Sequence, residues 1–238
     1  RMVGAHTDSP CLKVKPTPEI KQKGYFQLGV EVYGGALLNP WFDRDLSIAG
    51  RVTFLNAKDR LSSGLIDFKR PIGVIPSLAI HLDREVNSGR EINPQKELPV
   101  ILMQLGENEK ASFREMLKSA LRETYPDLDV KKVLDYELCL YDVQPPSFVG
   151  IANEFMTSAR MDNLLSCYIG LSSLLGAVGN ADEQGGGEDQ PSCMLVCSDH
   201  EEVGSMSAAG AQGPMLEHLL ERLLPEPESR GRMLAFTA

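Results

Sequence analysis

Residues 193–202 read CMLVCSDHEE, an unbroken apolar run followed by a polar segment that ends in two glutamates. A continuous apolar run of this length is typical of a β-strand buried on both faces of a sheet. In open α/β sheets, ligands bind beyond the carboxyl ends of such strands. Glu201 and Glu202 stand at that position, where a solvated surface patch fits poorly because charge is costly to bury. The stretch therefore predicts a central strand with a carboxylate site at its end.

Two other segments carry side chains suited to the same site. Residues 2–14 predict a short strand, a polar turn and a second strand that ends before Pro16, with His6 and Asp8 at the first junction. Apolar residues over 161–178 predict a largely buried helix, and Asp162 lies in its first turn. Each of these side chains is thus expected where a regular element meets a loop.

Each residue has an ordinary structural explanation when it is taken alone. A lone histidine near a strand end is more often a structural hydrogen-bonding group, and Asp162 could equally be a helix N-cap. A hydrolytic zinc site, however, needs nitrogen and oxygen ligands, a position for water and a carboxylate that takes the water's proton. His6 could supply the nitrogen, with Asp8 fixing the tautomer of its ring. The carboxylates of Asp162, Glu201 and Glu202 could supply the ligands and the base.

The middle of the chain has a different character. Residues 46–143 contain several β-rich pieces around one amphipathic helix near residues 109–123, which Pro126 ends. This pattern predicts an inserted α+β domain over 46–143 within a discontinuous α/β domain formed by 1–45 and 144–238. A glycine-rich loop over 179–190 and a last helix near 214–224 complete the predicted elements.

Composition excludes several classes of partner. The chain of 238 residues has a formal net charge of −9, which argues against non-specific binding to nucleic acid or to an acidic membrane surface. Its apolar runs are shorter than the roughly 20 residues that span a bilayer. The five cysteines are odd in number and lack C-x-x-C spacing, so we expect reduced, buried thiols and a cytoplasmic location.

Several composite motifs carry a family resemblance. Together they resemble the aspartyl aminopeptidase family of zinc peptidases, in the same order from end to end, and the motif W-F-D-R-D-L makes the match specific. The motifs are GAHTDSP at 4–10, GG at 34–35, WFDRDL at 41–46, AGRV at 49–52, SARMDNL at 158–164 and EEVGS at 201–205.

The resemblance implies a catalytic α/β domain with a mixed β-sheet flanked by helices, interrupted by an inserted β-rich α+β dimerisation domain. It implies two Zn²⁺ ions per subunit and removal of an N-terminal Asp or Glu from peptides. By position, His6 and Glu202 would each bind one zinc and Asp162 would bridge the two ions. Asp8 would orient His6, and Glu201 would be the general base.

The resemblance also implies an oligomer. His81, within the sequence LAIHL at 78–82, resembles a family histidine that reaches from one subunit into its partner's active site. Catalysis would then require a homo-oligomer built from dimers. The alternative, a structural histidine in a β-rich interface, stays open.

The family pattern places a further carboxylate ligand and a final histidine ligand beyond Ala238. We therefore expect the chain to be a fragment, truncated at both ends, weakly metallated or empty, and inactive alone. Two alternatives stay open: a related two-metal aminopeptidase of other specificity, and a non-catalytic assembly protein with the same fold.

Overall fold

A computed structural model gives the architecture over residues 1–107, 109–183, 193–226, 228–229 and 231. The chain divides into two compact units, Arg1–Ser9 with Pro146–Ala238, and Pro10–Pro145. The strands are β1 (Met2–His6), β2 (Cys11–Gln22), β3 (Tyr25–Tyr33), β4 (Leu46–Asn56), β5 (Leu61–Asp67), β6 (Val100–Gln104), β7 (Val130–Asp142), β8 (Ser147–Val149), β9 (Phe155–Thr157) and β10 (Met194–Ser198). The α-helices are α1 (Pro94–Glu97), α2 (Phe113–Thr124), α3 (Met161–Glu183) and α4 (Met215–Leu223), and 3₁₀ turns cover Asn39–Trp41 and Glu201–Val203.

The unit Pro10–Pro145 is built on one six-stranded antiparallel sheet. Its strand order is β5-β4-β7-β2-β3-β6. Helix α2 buries Phe113, Leu117 and Leu121 in the core of this unit. The backbone N–H of Phe113, at the first turn of α2, donates to Glu19 Oε1 of β2 at 2.7 Å, so a strand carboxylate caps the helix.

The strands and the helix predicted between residues 46 and 143 are confirmed as β4, β5, β6, β7 and α2. The predicted end of the second strand before Pro16 is wrong, because β2 continues through Pro16 and Pro18 to Gln22. Its pairing with β3 shifts register between Val14 and Glu19. Proline is tolerated at such an irregularity, since no ladder hydrogen bond is required of it there.

The boundaries of the two units differ from the predicted domain boundaries. The first lies between Ser9 and Pro10, whereas the sequence placed it after residue 45. Strands β2 and β3 pair with β7 and β6 and so belong with the predicted insert. The second lies between Pro145 and Pro146, close to the predicted position after residue 143.

The unit formed by Arg1–Ser9 and Pro146–Ala238 combines two small sheets with helices. Strand β1 pairs in parallel with β10, and β8 pairs antiparallel with β9. The last predicted helix is confirmed as α4. Of the predicted glycine-rich loop, residues 179–183 belong to α3, and 184–190 lie outside the described residues.

The predicted burial of α3 and β10 is wrong for this chain. Tyr168, Ile169 and Leu175 of α3 are 68%, 54% and 62% exposed, and β10 is only partly buried. The physical reason is the small extent of the sheet, since β10 has β1 as its one partner among the described strands. Cys193 and Cys197 are exposed as well, and among the described residues no disulfide joins the cysteines.

Within the described parts of the chain, no helix combines the length and the apolar character that crossing a membrane requires.

Candidate metal centre

The parallel pairing of β1 and β10 brings the ends of two distant segments together. The register places His6 opposite Ser198, and the backbone N–H of Thr7 donates to the Ser198 carbonyl at 2.9 Å. Because parallel strands end at the same edge of a sheet, the loop after β1 and the loop after β10 leave from one side. His6 and the glutamate pair are thereby brought to one site.

The glutamates lie in a tight turn directly after β10. His200 adopts a left-handed conformation with φ of 59°, and Glu201–Val203 form a 3₁₀ turn that ends at Gly204 with φ of 93°. A glycine suits this position because other residues rarely adopt such an angle. Backbone bonds close the turn, from Ser205 N–H to the His200 carbonyl at 2.8 Å and from Asp199 N–H to the Ala209 carbonyl at 3.0 Å.

Three predicted carboxylates converge around the His6 imidazole. His6 Nε2 lies 3.3 Å from Asp162 Oδ1 and 3.7 Å from Glu201 Oε2. Among the described residues, His6, Glu201 and Glu202 each offer one ligand atom, and these atoms lie within 4.8 Å of one another. The turn therefore directs both adjacent glutamates to one place, as a regular extended strand would not.

Asp162 stands where the regular part of α3 begins. Its backbone is non-helical, with φ of −83° and ψ of 106°, which agrees with the predicted loop-to-helix junction. Its side chain is 81% exposed, and the Ser9 hydroxyl donates to its carbonyl at 2.9 Å. The Asp162 carboxylate is thus accessible beside His6 Nε2.

Asp8 links the histidine to the glutamate turn. Its Oδ1 lies 3.3 Å from His6 Nδ1, on the opposite side of the ring from the other carboxylates. The two carboxylate oxygens also accept the backbone N–H groups of Glu201 and Glu202, each at 3.2 Å. The side chain is only 7% exposed. Asp8 therefore fixes the ring and the turn at once, and only the first of these roles was predicted.

The electrostatics of the site favour a bound cation. Burial raises the pKa of Glu202, and the neighbouring charges of Glu201 and Asp8 raise it further. For His6, burial acts to lower the pKa, but the hydrogen bond to the Asp8 carbonyl and the charges of Glu201, Asp8 and Asp162 outweigh it, so the pKa is raised. Carboxylates crowded together in this way repel one another unless positive charge lies among them.

Three residues that the sequence reasoning did not assign hold the site in place. Asn163 Oδ1 accepts the His6 backbone N–H at 3.3 Å, and Cys167 Sγ donates to the His6 carbonyl at 3.1 Å. Asn163 has a non-helical backbone at the start of α3, with φ of −122° and ψ of 18°, so helical spacing in the sequence could not have linked it to Cys167. His200 Nδ1 lies 2.6 Å from Ser207 Oγ across the glutamate turn, and no sequence signal indicated this contact.

His81 lies in the unit Pro10–Pro145, within an exposed turn instead of the β-rich setting that the alternative assumed. The Leu82 N–H donates to the Ala79 carbonyl at 2.8 Å, so His81 is the third residue of a β-turn. Its predicted role concerns a partner subunit.

The donor set fits zinc. One imidazole nitrogen and several carboxylate oxygens match the ligands that Zn²⁺ takes in hydrolytic enzymes. Burial and the nearby charges of Glu201 and Asp8 raise the pKa of Glu202, which agrees with a site where carboxylates lie close together. His6, Asp162, Glu201 and Glu202 are therefore the residues that could hold metal.

Comparison with known proteins also indicates a zinc-dependent protein. A family model described as "Aminopeptidase I zinc metalloprotease (M18)" matches residues 1–235. The "Probable M18 family aminopeptidase 2" of Pseudomonas entomophila is 57% identical over 234 residues, which are 98% of this chain and 52% of that protein. The protein of the same name from Azotobacter vinelandii is 55% identical with the same coverage. The chain thus spans about half the length of the curated relatives it matches.

Solved structures share the fold. Ape4, in a complex with Nbr1, superimposes with a TM-score of 0.81 at 33% identity, covering 93% of this chain and 44% of that one. The mApe1 protein of Chaetomium thermophilum gives a TM-score of 0.77 at 28% identity, covering 94% and 51%. Because the family model matches residues 1–235 of the 238 in this chain, the chain belongs to the M18 family of zinc metalloproteases.

Proposed function

We propose that a full-length form carrying this chain is a metallo-aminopeptidase that removes N-terminal Asp or Glu from peptides. The single observation that carries the proposal is the convergence of four side chains in a member of the M18 family. Asp162 Oδ1 and Glu201 Oε2 lie 3.3 Å and 3.7 Å from His6 Nε2, and one ligand atom each of His6, Glu201 and Glu202 lies within 4.8 Å of the others. The acidic specificity is supported by the composite motifs that resemble aspartyl aminopeptidases.

The proposed ligand assignment is the one that the family resemblance implies. His6 and Glu202 would each hold one zinc, and Asp162, exposed beside His6 Nε2, would bridge the two. When bound, zinc would polarise the scissile carbonyl and acidify the attacking water. Three protein ligands are too few to hold two ions, so the activity is proposed for a protein of the length of its relatives.

The chain's own residues would carry the proton transfers. Glu201 is 52% exposed, so its carboxylate can take the proton of the attacking water and later return it to the leaving amine. Asp8 holds the Glu201 backbone N–H at 3.2 Å and thereby limits the movement of the base. The Asp8 carbonyl, 3.1 Å from His6 Nδ1, and the Asp8 carboxylate, 3.3 Å from it, would keep Nδ1 protonated and leave Nε2 as the ligand atom.

We propose a homo-oligomer built from dimers, in which the His81 turn of one subunit contacts the substrate of its partner. The mApe1 protein of S. cerevisiae, which aligns with this chain at a TM-score of 0.74 and 25% identity, is a dodecamer. The exposure of the His81 turn supports a role in contacts beyond its own chain.

The test is the substrate preference of a full-length form. We expect kcat/KM for Asp- and Glu-linked chromogenic substrates to exceed that for a Leu-linked one by about 10²-fold or more, because a site that pairs a substrate charge strongly rejects a substrate without it. A preference for Leu would overturn the acidic specificity. A zinc-loaded, folded protein that cleaves none of them would overturn the enzyme assignment.

A further inference from the structure

The His81 turn belongs to a segment without helix or strand, residues 75–93, that runs from the end of a short bridge to the start of α1. Around His81 the segment exposes Leu78, Ile80 and Leu82, by 56%, 54% and 67%. A cavity of about 470 Å³ is lined by residues of the segment, among them Leu78, Asp83 and Arg90, together with Gln27 of β3 and Ile101 of β6. Ile75 and Ile92 pack in or against the core at the two ends of the segment. The exposed apolar residues around His81 do not fix the part between them, so polar contacts bear on the position of the turn.

The first contact fastens the start of the segment to the Trp-Phe-Asp-Arg-Asp motif. Asp43 Oδ1 accepts the backbone N–H of Ser77 at 2.9 Å. The Asp43 N–H donates to the carbonyl of Ile75, a fully buried residue, also at 2.9 Å. The hydrogen bonds from Ser77 lower the pKa of Asp43, so the carboxylate stays charged and the contact stays strong.

The second contact fastens the far end through Arg90. Its Nε donates to Glu97 Oε2 of α1 at 3.1 Å, and its Nη2 donates to the same oxygen. Arg90 Nε also lies 3.5 Å from Asp83 Oδ2. The guanidinium carbon is 4.8 Å from the centre of the Phe42 ring, and the Arg90 side chain is only 15% exposed.

We infer that Arg90, supported by Phe42 and Asp43, is a positioning residue that holds the His81 turn in place. Asp83 lies two residues from His81, so the Arg90–Asp83 pair acts directly on the turn. The inference rests on the proposed function, in which His81 contacts substrate. It also gives a role to Phe42 and Asp43, whose motif contributes no side chain to the metal cluster described above.

The fork of the guanidinium explains why arginine is needed at this position. One side chain meets two carboxylates and lies over an aromatic ring, which a lysine ammonium cannot do with the same geometry. Removing Arg90 leaves Asp83 without this partner and lets the turn move across the cavity.

The first test measures hydrogen exchange at residues 77–89 in the full chain. In Arg90→Ala these amides should exchange roughly fivefold faster or more, because local opening becomes easier. In Arg90→Lys the exchange rate of these amides should lie between the rates in the wild type and in Arg90→Ala. The matched control is Arg84→Ala, an exposed arginine of the same segment, which should leave exchange unchanged. Unchanged exchange in Arg90→Ala would overturn the inference.

The second test is a double-mutant cycle in a full-length form. Arg90→Ala should lower kcat by about tenfold or more, because a misplaced contact group loses much of its effect. Its zinc content and oligomer size should match the wild type. In a His81→Ala background the same change should have no further effect, whereas a general structural defect would lower kcat in both backgrounds.

If the losses of kcat from Arg90→Ala and His81→Ala were additive, the positioning role would be overturned. The kcat of the control Arg84→Ala should stay within about twofold of the wild type, because most surface substitutions have small effects. A full-length form that lacks aminopeptidase activity would instead contradict the proposed function. The exchange experiment would still test the anchoring in that case.

Discussion

At the residue scale, the Asp8 carboxylate joins both ends of the metal site. It faces His6 Nδ1 and accepts the N–H groups of Glu201 and Glu202. A carboxylate that contacts a metal-binding histidine in this way orients the ring and fixes its tautomer. The Asp8 contact with the turn has no sequence counterpart, because its partners are backbone amides more than 190 residues away.

Replacing Asp8 by alanine should weaken zinc binding by about 10–100-fold, the usual cost of losing such a partner. The glutamate turn would lose two hydrogen-bond acceptors, and His6 would lose the carboxylate beside Nδ1 and keep only the Asp8 carbonyl. The measurement is zinc affinity by competition with a chelator in a full-length form. Asp127→Ala, which removes an exposed aspartate from a turn, is the control, and equal affinities in the two variants would contradict the role of Asp8.

The raised pKa of His6 predicts a pH dependence of metal binding. Zinc binds the neutral imidazole, and the folded protein keeps His6 protonated to a pH above its ordinary pKa of 6.5. Without metal, the charged imidazole increases the free energy of unfolding at low pH, because its pKa is higher in the folded chain than in the unfolded one. This stabilisation is lost as pH rises through the pKa of the folded state. Zinc affinity changes in the opposite sense and falls as pH falls.

Chelator competition between about pH 8 and 5.5 should show this fall beginning above the ordinary histidine range. In Asp8→Asn, which removes one of the charges that raise the pKa, the onset should move to lower pH. An affinity that stays constant over the range would contradict the assignment of His6 as a ligand.

At the element scale, the turn after β10 places Glu201 and Glu202 beside His6. Gly210 packs so closely on Ser205 that an added Cβ would overlap the Ser205 carbonyl. Ser205 is buried and closes the turn through its bond to the His200 carbonyl. The position of Glu201 and Glu202 therefore depends on a glycine several residues away.

Gly210→Ala should destabilise the unit that holds the site by about 1–3 kcal/mol, the usual cost of overpacking. Zinc affinity should fall with it, because the glutamates shift. Gly176→Ala is the matched control, since nothing lies within 4 Å of a Cβ added at that position of α3. Thermal unfolding and zinc titration would be compared, and a Gly210→Ala protein as stable as the control would contradict the explanation.

The elements also show what sequence can predict. Alternating and helical patterns in the middle of the chain identified β4, β7 and α2, because burial against a complete core imposes those periods. The passage of β2 through Pro16 and Pro18 was missed, because a bulge depends on the partner strand. The apolar residues of α3 correctly predicted a helix but wrongly predicted that it is buried. Helical periodicity shows which face of a helix is apolar, but it does not show whether this chain supplies the residues that bury that face.

At the scale of the whole molecule, the chain carries the candidate metal site and also exposes many large apolar side chains. Leu164, Leu165 and Tyr168 of α3 are 42%, 43% and 68% exposed, and apolar surface of this extent normally contacts other protein. The chain also covers only 52% of its curated relative from Pseudomonas entomophila. The motifs in the sequence predicted that His6, Asp8, Asp162, Glu201 and Glu202 form one site, and these residues lie close together in the structure; their roles stay predictions.

The most direct test of the central claim, that Glu201 is the base of a zinc site held by its neighbours, uses Glu201→Gln in a full-length form. Zinc content by atomic absorption and kcat on an Asp-linked substrate would be measured together, with Glu202→Gln as the matched variant. We predict that Glu201→Gln keeps its zinc and loses about 10²–10⁴-fold in kcat, whereas Glu202→Gln loses zinc. A zinc-loaded Glu201→Gln protein with wild-type kcat would contradict the account.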